Sequence, residues 1–115
     1  MHHIILIFMM IDTLKYITFL QNLVNNSNYI LDLGCGDFNY TSKIDFKNKN
    51  YLGIDCVESV INKNIDNFGN NNINFLFYDI QDYSIPKEVD LIIIKDVLQH
   101  WNNDTIIIKP SFVLQ

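Results

Sequence analysis

Four short apolar runs recur along the chain, and each is followed by polar or glycine-containing residues. The runs are Tyr29–Leu33, Asn50–Asp55, Ile73–Tyr78 and Asp90–Lys95. Their cores are rich in β-branched and aromatic residues, which favour strands. The cores are apolar almost throughout, whereas a strand with one face in water alternates apolar and polar residues. They are therefore typical of parallel strands covered on both faces.

The segments between the runs carry helical periodicity. From Val57 to Phe68 the apolar residues recur three and four positions apart, and Gly69 is a typical helix stop. A similar stripe predicts a leading helix over 12–25, and a shorter helical piece is expected around Tyr40–Ile44. Strands that alternate with helices predict an α/β domain with a doubly wound parallel sheet.

The first strand runs directly into an acidic, glycine-rich turn. Asp32 precedes Gly34 by two residues, and Cys35 separates Gly34 from Gly36. Glycines at such a point let the backbone bend sharply and let a ligand approach it closely. A glycine turn after the first strand of an α/β unit is where nucleotide-like ligands bind.

Each later strand also ends in a carboxylate. Asp55 follows the glycine turn by roughly 20 residues, the distance at which an acid reaches ribose hydroxyls in a dinucleotide fold. Asp79 closes the third strand and Asp96 follows the fourth. Because the ends of parallel strands meet at one edge of a sheet, these acids are predicted to belong to one site.

In these features the chain resembles the class I S-adenosylmethionine-dependent methyltransferases, whose sheet is Rossmann-like. Their first motif, an acid followed by Gly-x-Gly, matches Asp32-Leu33-Gly34-Cys35-Gly36. Their second-strand and third-strand acids match Asp55 and Asp79, and their fourth motif matches Lys95–Trp101. The resemblance covers about residues 29–103, which we interpret as the cofactor-binding core.

The resemblance implies S-adenosylmethionine as the cofactor and assigns each matched residue a part of it. Asp55 would accept hydrogen bonds from both ribose hydroxyls, and Asp79 would accept one from the adenine amine. Gly34 and Gly36 would let the main chain approach the sugar and the amino acid tail. Asp32 would orient the turn or the tail ammonium.

Two further residues are candidates for the chemical step. Methyl transfer is an in-line displacement at an activated carbon, so a general base is needed only for acceptors that carry a proton. Asp96 and His100 are the candidates for that role or for positioning the acceptor. Asp96 is equally compatible with capping a helix over Val97–Trp101. His100, beside Trp101, also fits a packed or exposed helix residue.

The chain departs from the methyltransferase family in two ways, and it also departs from the nicotinamide-binding fingerprint. Phe38 stands where many members have a third glycine. The glycine that a nicotinamide-binding fingerprint requires is replaced by Asn39, which favours the methyl donor over a dinucleotide. The family's sheet has seven strands, whereas this chain ends soon after the fourth. We therefore expect a partial sheet of about four strands in the order 3-2-1-4.

The shortened sheet leaves two interpretations of function open. One is an active methyltransferase with an unknown acceptor. The other is a truncated, catalytically silent remnant that binds the cofactor or a partner chain. In either case the fourth strand, Leu91–Ile94, is predicted to be an open, apolar edge. Such an edge templates pairing, so self-association or a partner chain is expected there.

Composition sets the remaining limits. At 115 residues the chain is one small domain, and its net charge of −5 argues against unaided binding to nucleic acid. Cys35 and Cys56 lack disulfide or metal spacing, which indicates a reducing compartment such as the cytoplasm. The absence of arginine and alanine suggests AT-rich coding DNA, from a large DNA virus or from a host of similar base composition. In the viral case the compartment is the host cytoplasm.

The N-terminal residues are the least informative. Ile4–Ile11 is too short to span a membrane and lacks the flanks of a secretion signal. We interpret residues 1–11 as an N-terminal extension before the leading helix. Met1, Met9 and Met10 are alternative starts of translation.

Overall fold

The computed structural model describes residues 3–6 and 13–94. Within them the chain forms five strands, β1 (His3–Leu6), β2 (Tyr29–Leu33), β3 (Asn50–Asp55), β4 (Ile73–Phe77) and β5 (Leu91–Ile94). It also forms two α-helices, α1 (Thr13–Asn25) and α2 (Glu58–Phe68), and short 3-10 turns at Thr41–Lys43 and Ile80–Asp82. No helix among these residues is long and apolar enough to cross a membrane.

All strand pairs are parallel, and the sheet has the order β1-β5-β2-β3-β4. The four strands predicted from the sequence therefore lie in the predicted order, which confirms a partial Rossmann-like α/β fold. Leu33 at the end of β2 pairs with Ile54 of β3 and with Ile94 of β5. The carboxyl ends of these three strands are thus level, and the segments that follow β2 and β3 begin side by side.

The prediction of an open edge at β5 is wrong. β1 pairs with β5 over its whole length, from His3 opposite Leu91 to Leu6 opposite Ile94. The residues that form β1 lie in the segment interpreted as a loose N-terminal extension. Its apolar, isoleucine-rich run is too short for a membrane but has the length and composition of a strand. β5 therefore has a neighbour on each side, and within the described residues β1 and β4 are the two edge strands.

One face of the sheet packs against both helices. Tyr16 and Leu20 of α1 and Ile61 of α2 join the buried sheet residues Ile30, Tyr51, Phe75, Leu91 and Ile93 in one cluster. The α2 helix has the predicted bounds within a residue, and the backbone N–H of Gly69 donates to the carbonyl of Ile65 at its end. This face carries the helix that begins next to the glycine turn.

The opposite face has its own core. It consists of Leu31, Leu33, Ile54, Val89, Ile92 and Ile94. Ile80, Tyr83 and Ile85, from the segment between β4 and β5, pack against this core. All four residues of β5 are buried, which explains why its sequence is apolar without alternation.

Candidate functional site

The carboxyl ends of β2, β3 and β4 bring the matched acids and glycines to one edge of the sheet. Gly34 and Gly36 follow β2, Asp55 ends β3, and Asp79 lies two residues beyond β4. The backbone N–H of Tyr78 donates to the carbonyl of Asp55 at 3.1 Å, which holds the end of β4 against the end of β3. The candidate base residues, Asp96 and His100, lie outside the described residues.

The glycine turn folds back over the end of β3. Gly34 has a φ of 80° and Gly36 a φ of 60°, both in the left-handed region. The N–H groups of Gly34 and Cys35 both donate to the carbonyl of Ile54, at 2.8 and 3.1 Å. Left-handed φ angles cost glycine little and other residues more, so glycine is favoured at both positions.

Asp55 links the glycine turn to the start of α2. Its Oδ2 accepts from the N–H of Gly36 at 3.0 Å, and its Oδ1 accepts from the N–H of Val57 at 3.0 Å. The side chain is half-buried. A carboxylate offers about four lone-pair sites, so two backbone donors leave room for further donors. The predicted contact to both ribose hydroxyls is therefore chemically available, and it stays a prediction.

Asp79 is exposed at the end of β4 and begins the Ile80–Asp82 turn. One of its oxygens, Oδ1, accepts from the N–H of Gln81 at 3.0 Å. Asp79 is thus an N-cap whose carboxylate keeps acceptor capacity toward solvent. Its predicted contact to an adenine amine is compatible with this position and is not tested by it.

Asp32 lies fully buried beneath the glycine turn. The hydroxyl of Tyr51 donates to its Oδ2 at 2.7 Å. Burial, followed by the charge of Asp32, raises the pKa of Tyr51 well above its ordinary value of 10.0. Both predicted roles of Asp32, orienting the turn or meeting the tail ammonium, stay predictions.

Gly53 makes room for Cys35 and for the hydroxyl of Tyr51. A Cβ atom at Gly53 would lie 3.0 Å from Cβ and Sγ of Cys35 and 3.0 Å from the hydroxyl oxygen of Tyr51. All three contacts are tighter than a Cβ atom normally makes, so the missing side chain lets Cys35 and the hydroxyl of Tyr51 lie close to the backbone of Gly53. Gly53 was placed inside the second predicted strand without a role, although a glycine inside a strand is a signal of close approach.

Asn64 is a second residue that sequence reasoning missed. It is buried on α2, and its Nδ2 donates to the carbonyl of Gly36 at 2.7 Å. Its position falls on the apolar stripe that contains Ile61, Ile65 and Phe68. A polar residue on the buried stripe of a helix was the available signal, because a buried amide needs a hydrogen-bond partner.

Phe38 occupies the position of the third glycine and adopts the backbone conformation that a glycine would have there. Its φ of 66° is left-handed, which costs a non-glycine residue roughly 1–2 kcal/mol. The ring is buried, and its centroid lies 5.0–6.3 Å from those of Phe46, Tyr51, Phe68 and Phe75. Burial of an aromatic ring among other rings offsets the backbone cost.

Among the described residues there is no cluster of three or more metal-ligating side chains. The free thiols differ in exposure, since Cys35 is buried in the turn and Cys56 is exposed directly after Asp55. The described groups at this edge include the carboxylates of Asp55 and Asp79 and the backbone of the glycine turn. A parallel α/β sheet with this edge belongs to the class of proteins that hold nucleotide-like ligands at the ends of their strands.

The methyltransferase domain family matches residues 30–109. The chain belongs to this family, as its sequence resemblance implied. No curated protein is significantly similar to the chain in sequence.

Solved methyltransferase structures share the fold. The plantazolicin methyltransferase BpumL, in complex with a pentazolic desmethylPZN analog and SAH, is 24% identical with a TM-score of 0.55. Coclaurine N-methyltransferase, bound to N-methylheliamine and SAH, is 17% identical with a TM-score of 0.57. A TehB-like SAM-dependent methyltransferase from Corynebacterium glutamicum is 21% identical with a TM-score of 0.50.

This chain corresponds to only part of those proteins. The three alignments cover 73%, 80% and 80% of this chain, but 36%, 29% and 59% of the others. The chain therefore spans about a third of the length of the plantazolicin methyltransferase.

Proposed function

We propose that this chain binds S-adenosylmethionine (SAM) at the carboxyl edge of its sheet and forms the cofactor-binding part of a methyltransferase. Membership of the methyltransferase domain family over residues 30–109 supports the reaction class. The SAH complexes of two structures with the same fold support the cofactor. The methyl acceptor and the methylated atom are not specified by this proposal.

The observation that carries the proposal is the bond between Gly36 N–H and Asp55 Oδ2 at 3.0 Å. It holds a carboxylate with spare acceptor sites directly beside a turn whose glycines carry no side chains. A ribose needs paired acceptors, and the remainder of the cofactor needs open backbone beside them. Asp55 would hold the ribose, Asp79 the adenine amine, and Gly34 and Gly36 would border the sugar and tail.

The bound cofactor supplies an activated methyl carbon, and the protein contributes position. Well-oriented reactants gain on the order of 7–11 kcal/mol from positioning alone. Asp96 and His100 remain our candidates for removing a proton from the acceptor or for orienting it. We infer a reducing, cytoplasmic location from the two free cysteines.

A second function is that of a chain that binds the cofactor without transferring its methyl group. The part of the plantazolicin methyltransferase that aligns with this chain is 36% of that protein. This chain would then act as a cofactor-binding module, or pair with a partner chain that contributes the acceptor site. Transfer of labelled methyl groups from SAM to any acceptor would favour the enzyme, whereas a module would return the cofactor unchanged.

Calorimetric titration of SAH into the folded chain tests the cofactor site. We expect Asp55→Ala to weaken binding by about 1.5–3 kcal/mol, because a charged acceptor is lost. This corresponds to roughly 10- to 150-fold in Kd. Asp66→Ala is the matched control, since Asp66 is an exposed acid on α2.

The possible outcomes test the proposed function and the role of Asp55 separately. A folded wild-type chain that binds neither SAM nor SAH would overturn the proposed function. Binding that is equal in the wild type and in Asp55→Ala would keep the function and remove Asp55 from the site. A denaturant titration of each variant shows that the compared samples are equally folded.

A further inference from the structure

The buried face of α2 contains one amide among apolar side chains. Asn64 is 2% exposed, and Ile61, one turn earlier on the same face, is also 2% exposed. Burying an amide is unfavourable unless it is hydrogen-bonded, and an aliphatic side chain would fill such a position at lower cost. The Asn64 amide meets this requirement with a bond to Gly36 rather than with a bond inside its own helix.

Gly36 is consequently held from both sides. Its N–H donates to Asp55 Oδ2 at 3.0 Å, and its carbonyl accepts from Asn64 Nδ2 at 2.7 Å. Gly36 has a φ of 60°. Because glycine has no side chain, its own sterics do little to fix its backbone conformation. These two bonds therefore fix which way the peptide groups on either side of Gly36 point.

The two hydrogen bonds also connect Asn64, through Gly36, to the carboxylate of Asp55. Asn64 fixes Gly36, and the N–H of Gly36 fixes one oxygen of Asp55. The direction of the remaining lone pairs on Asp55 then depends on a residue that lies on a helix and is itself buried. Elements packed in a core hold a site more reproducibly than a free loop does.

We propose that Asn64 is a positioning residue for the cofactor, acting through Gly36 on Asp55. This rests on the proposed function, because it assumes that Asp55 and the glycine turn meet the cofactor. Asn64 fixes the glycine turn before the ligand arrives, so that binding does not have to order it. The ordering cost that Asn64 removes would otherwise reduce affinity.

The first test compares two substitutions on one helix. Asn64→Asp is nearly isosteric, but it replaces the donor with a carboxylate that faces the carbonyl of Gly36. Asn62→Asp makes the same chemical change at an exposed position of α2. We expect SAH to bind at least 10-fold more weakly to Asn64→Asp and within about twofold of the wild type to Asn62→Asp.

Asn64→Ala keeps the test decisive if the buried carboxylate prevents folding. It removes the donor without adding a charge, and we expect a severalfold loss of SAH affinity in a folded protein. Stability is measured on the same samples, because a merely structural residue would lower the denaturation midpoint and leave the affinity of the folded chain unchanged.

The second test asks whether the effect passes through Asp55. In a double-mutant cycle, residues that act through one network give effects that do not add. We expect Asn64→Ala to cost little further affinity once Asp55→Ala is present, whereas the two single losses would otherwise multiply. Asn62→Asp combined with Asp55→Ala should behave like Asp55→Ala alone, as the control.

Each result has one meaning. A folded wild-type chain that does not bind SAH overturns the proposed function itself. A wild type that binds, with Asn64→Ala folded and equal in affinity, overturns the positioning role alone. Losses that multiply in the double variant also overturn it, because Asn64 would then act by a route other than Asp55.

Discussion

Replacing Tyr51 by phenylalanine is expected to lower the free energy of unfolding by about 1.5–3 kcal/mol, the usual worth of a hydrogen bond to a charged group. The hydroxyl of Tyr51 donates to Asp32 Oδ2 at 2.7 Å, and both side chains are buried. Phenylalanine keeps the ring and its aromatic contacts. The substitution therefore removes only the hydroxyl donor, while its acceptor, the Asp32 carboxylate, stays in the core.

Denaturant unfolding measures the loss, with Tyr29→Phe as the control. Tyr29 is 43% exposed, so losing its hydroxyl should change stability by less than about 0.5 kcal/mol. If Tyr51→Phe were as stable as the wild type, the bond to Asp32 would contribute nothing to the fold.

The same pair predicts how stability depends on alkaline pH. Burial and the charge of Asp32 raise the pKa of Tyr51 well above 10.0 in the folded chain. Above pH 10 the unfolded chain loses this phenol proton while the folded chain keeps it. The unfolded state then binds fewer protons, so stability falls as pH rises through the folded pKa.

A comparison with the phenylalanine variant isolates this effect. Burial also raises the pKa of Tyr83. Because Tyr83 is present in both proteins, its contribution to the pH dependence cancels in the stability difference. The stability difference between the wild type and Tyr51→Phe should therefore shrink as pH rises above about 10. A difference that stays constant up to alkaline denaturation would contradict a raised pKa at Tyr51.

The strands of the cofactor core could be predicted because each is a local feature of the sequence. A run such as Leu91–Ile94 is apolar on both faces and is bounded by Asp90 and Lys95, so its length and type are readable without a partner. The position of Asp55 at a strand end followed from the same pattern. These predictions needed no knowledge of which segments meet in space.

The pairing of β1 could not be predicted in the same way. Its residues join β5 across more than 80 positions of sequence, and nothing in the local pattern of His3–Leu6 specifies that partner. The segment was interpreted as an N-terminal extension before the leading helix. The available signal was a short apolar run of strand length, together with a predicted sheet whose edge at β5 was open.

The hydrogen bonds within the site depend on geometry that appears only when the turn has formed. Asp55 was predicted to face a ligand, and it also holds Gly36 and Val57. Asn64 lies 28 residues after Gly36, and only the packing of α2 against the sheet brings them together. Polar residues on apolar stripes were visible in the sequence, but their partners were not.

Removing residues 1–8, so that the chain begins at Met9, is expected to make the protein self-associate. β1 pairs with all four residues of β5, and its loss would leave the backbone of Leu91–Ile94 unpaired on one side. The side chains of β5 are all buried in the full chain. An apolar edge strand without cover templates pairing with another chain.

Light scattering over a concentration series measures self-association. Proline substitutions in the full-length chain test whether the loss of β1 pairing, rather than the shorter chain, is the cause. Successive N–H groups of a strand point to opposite sides, so one of Ile4→Pro and Ile5→Pro removes a donor to β5 while the other faces outward. We expect that one of the two self-associates as the shortened chain does and that Ile5→Val does not. A shortened chain that stays monomeric at every concentration would show that the edge of β5 needs no cover from β1.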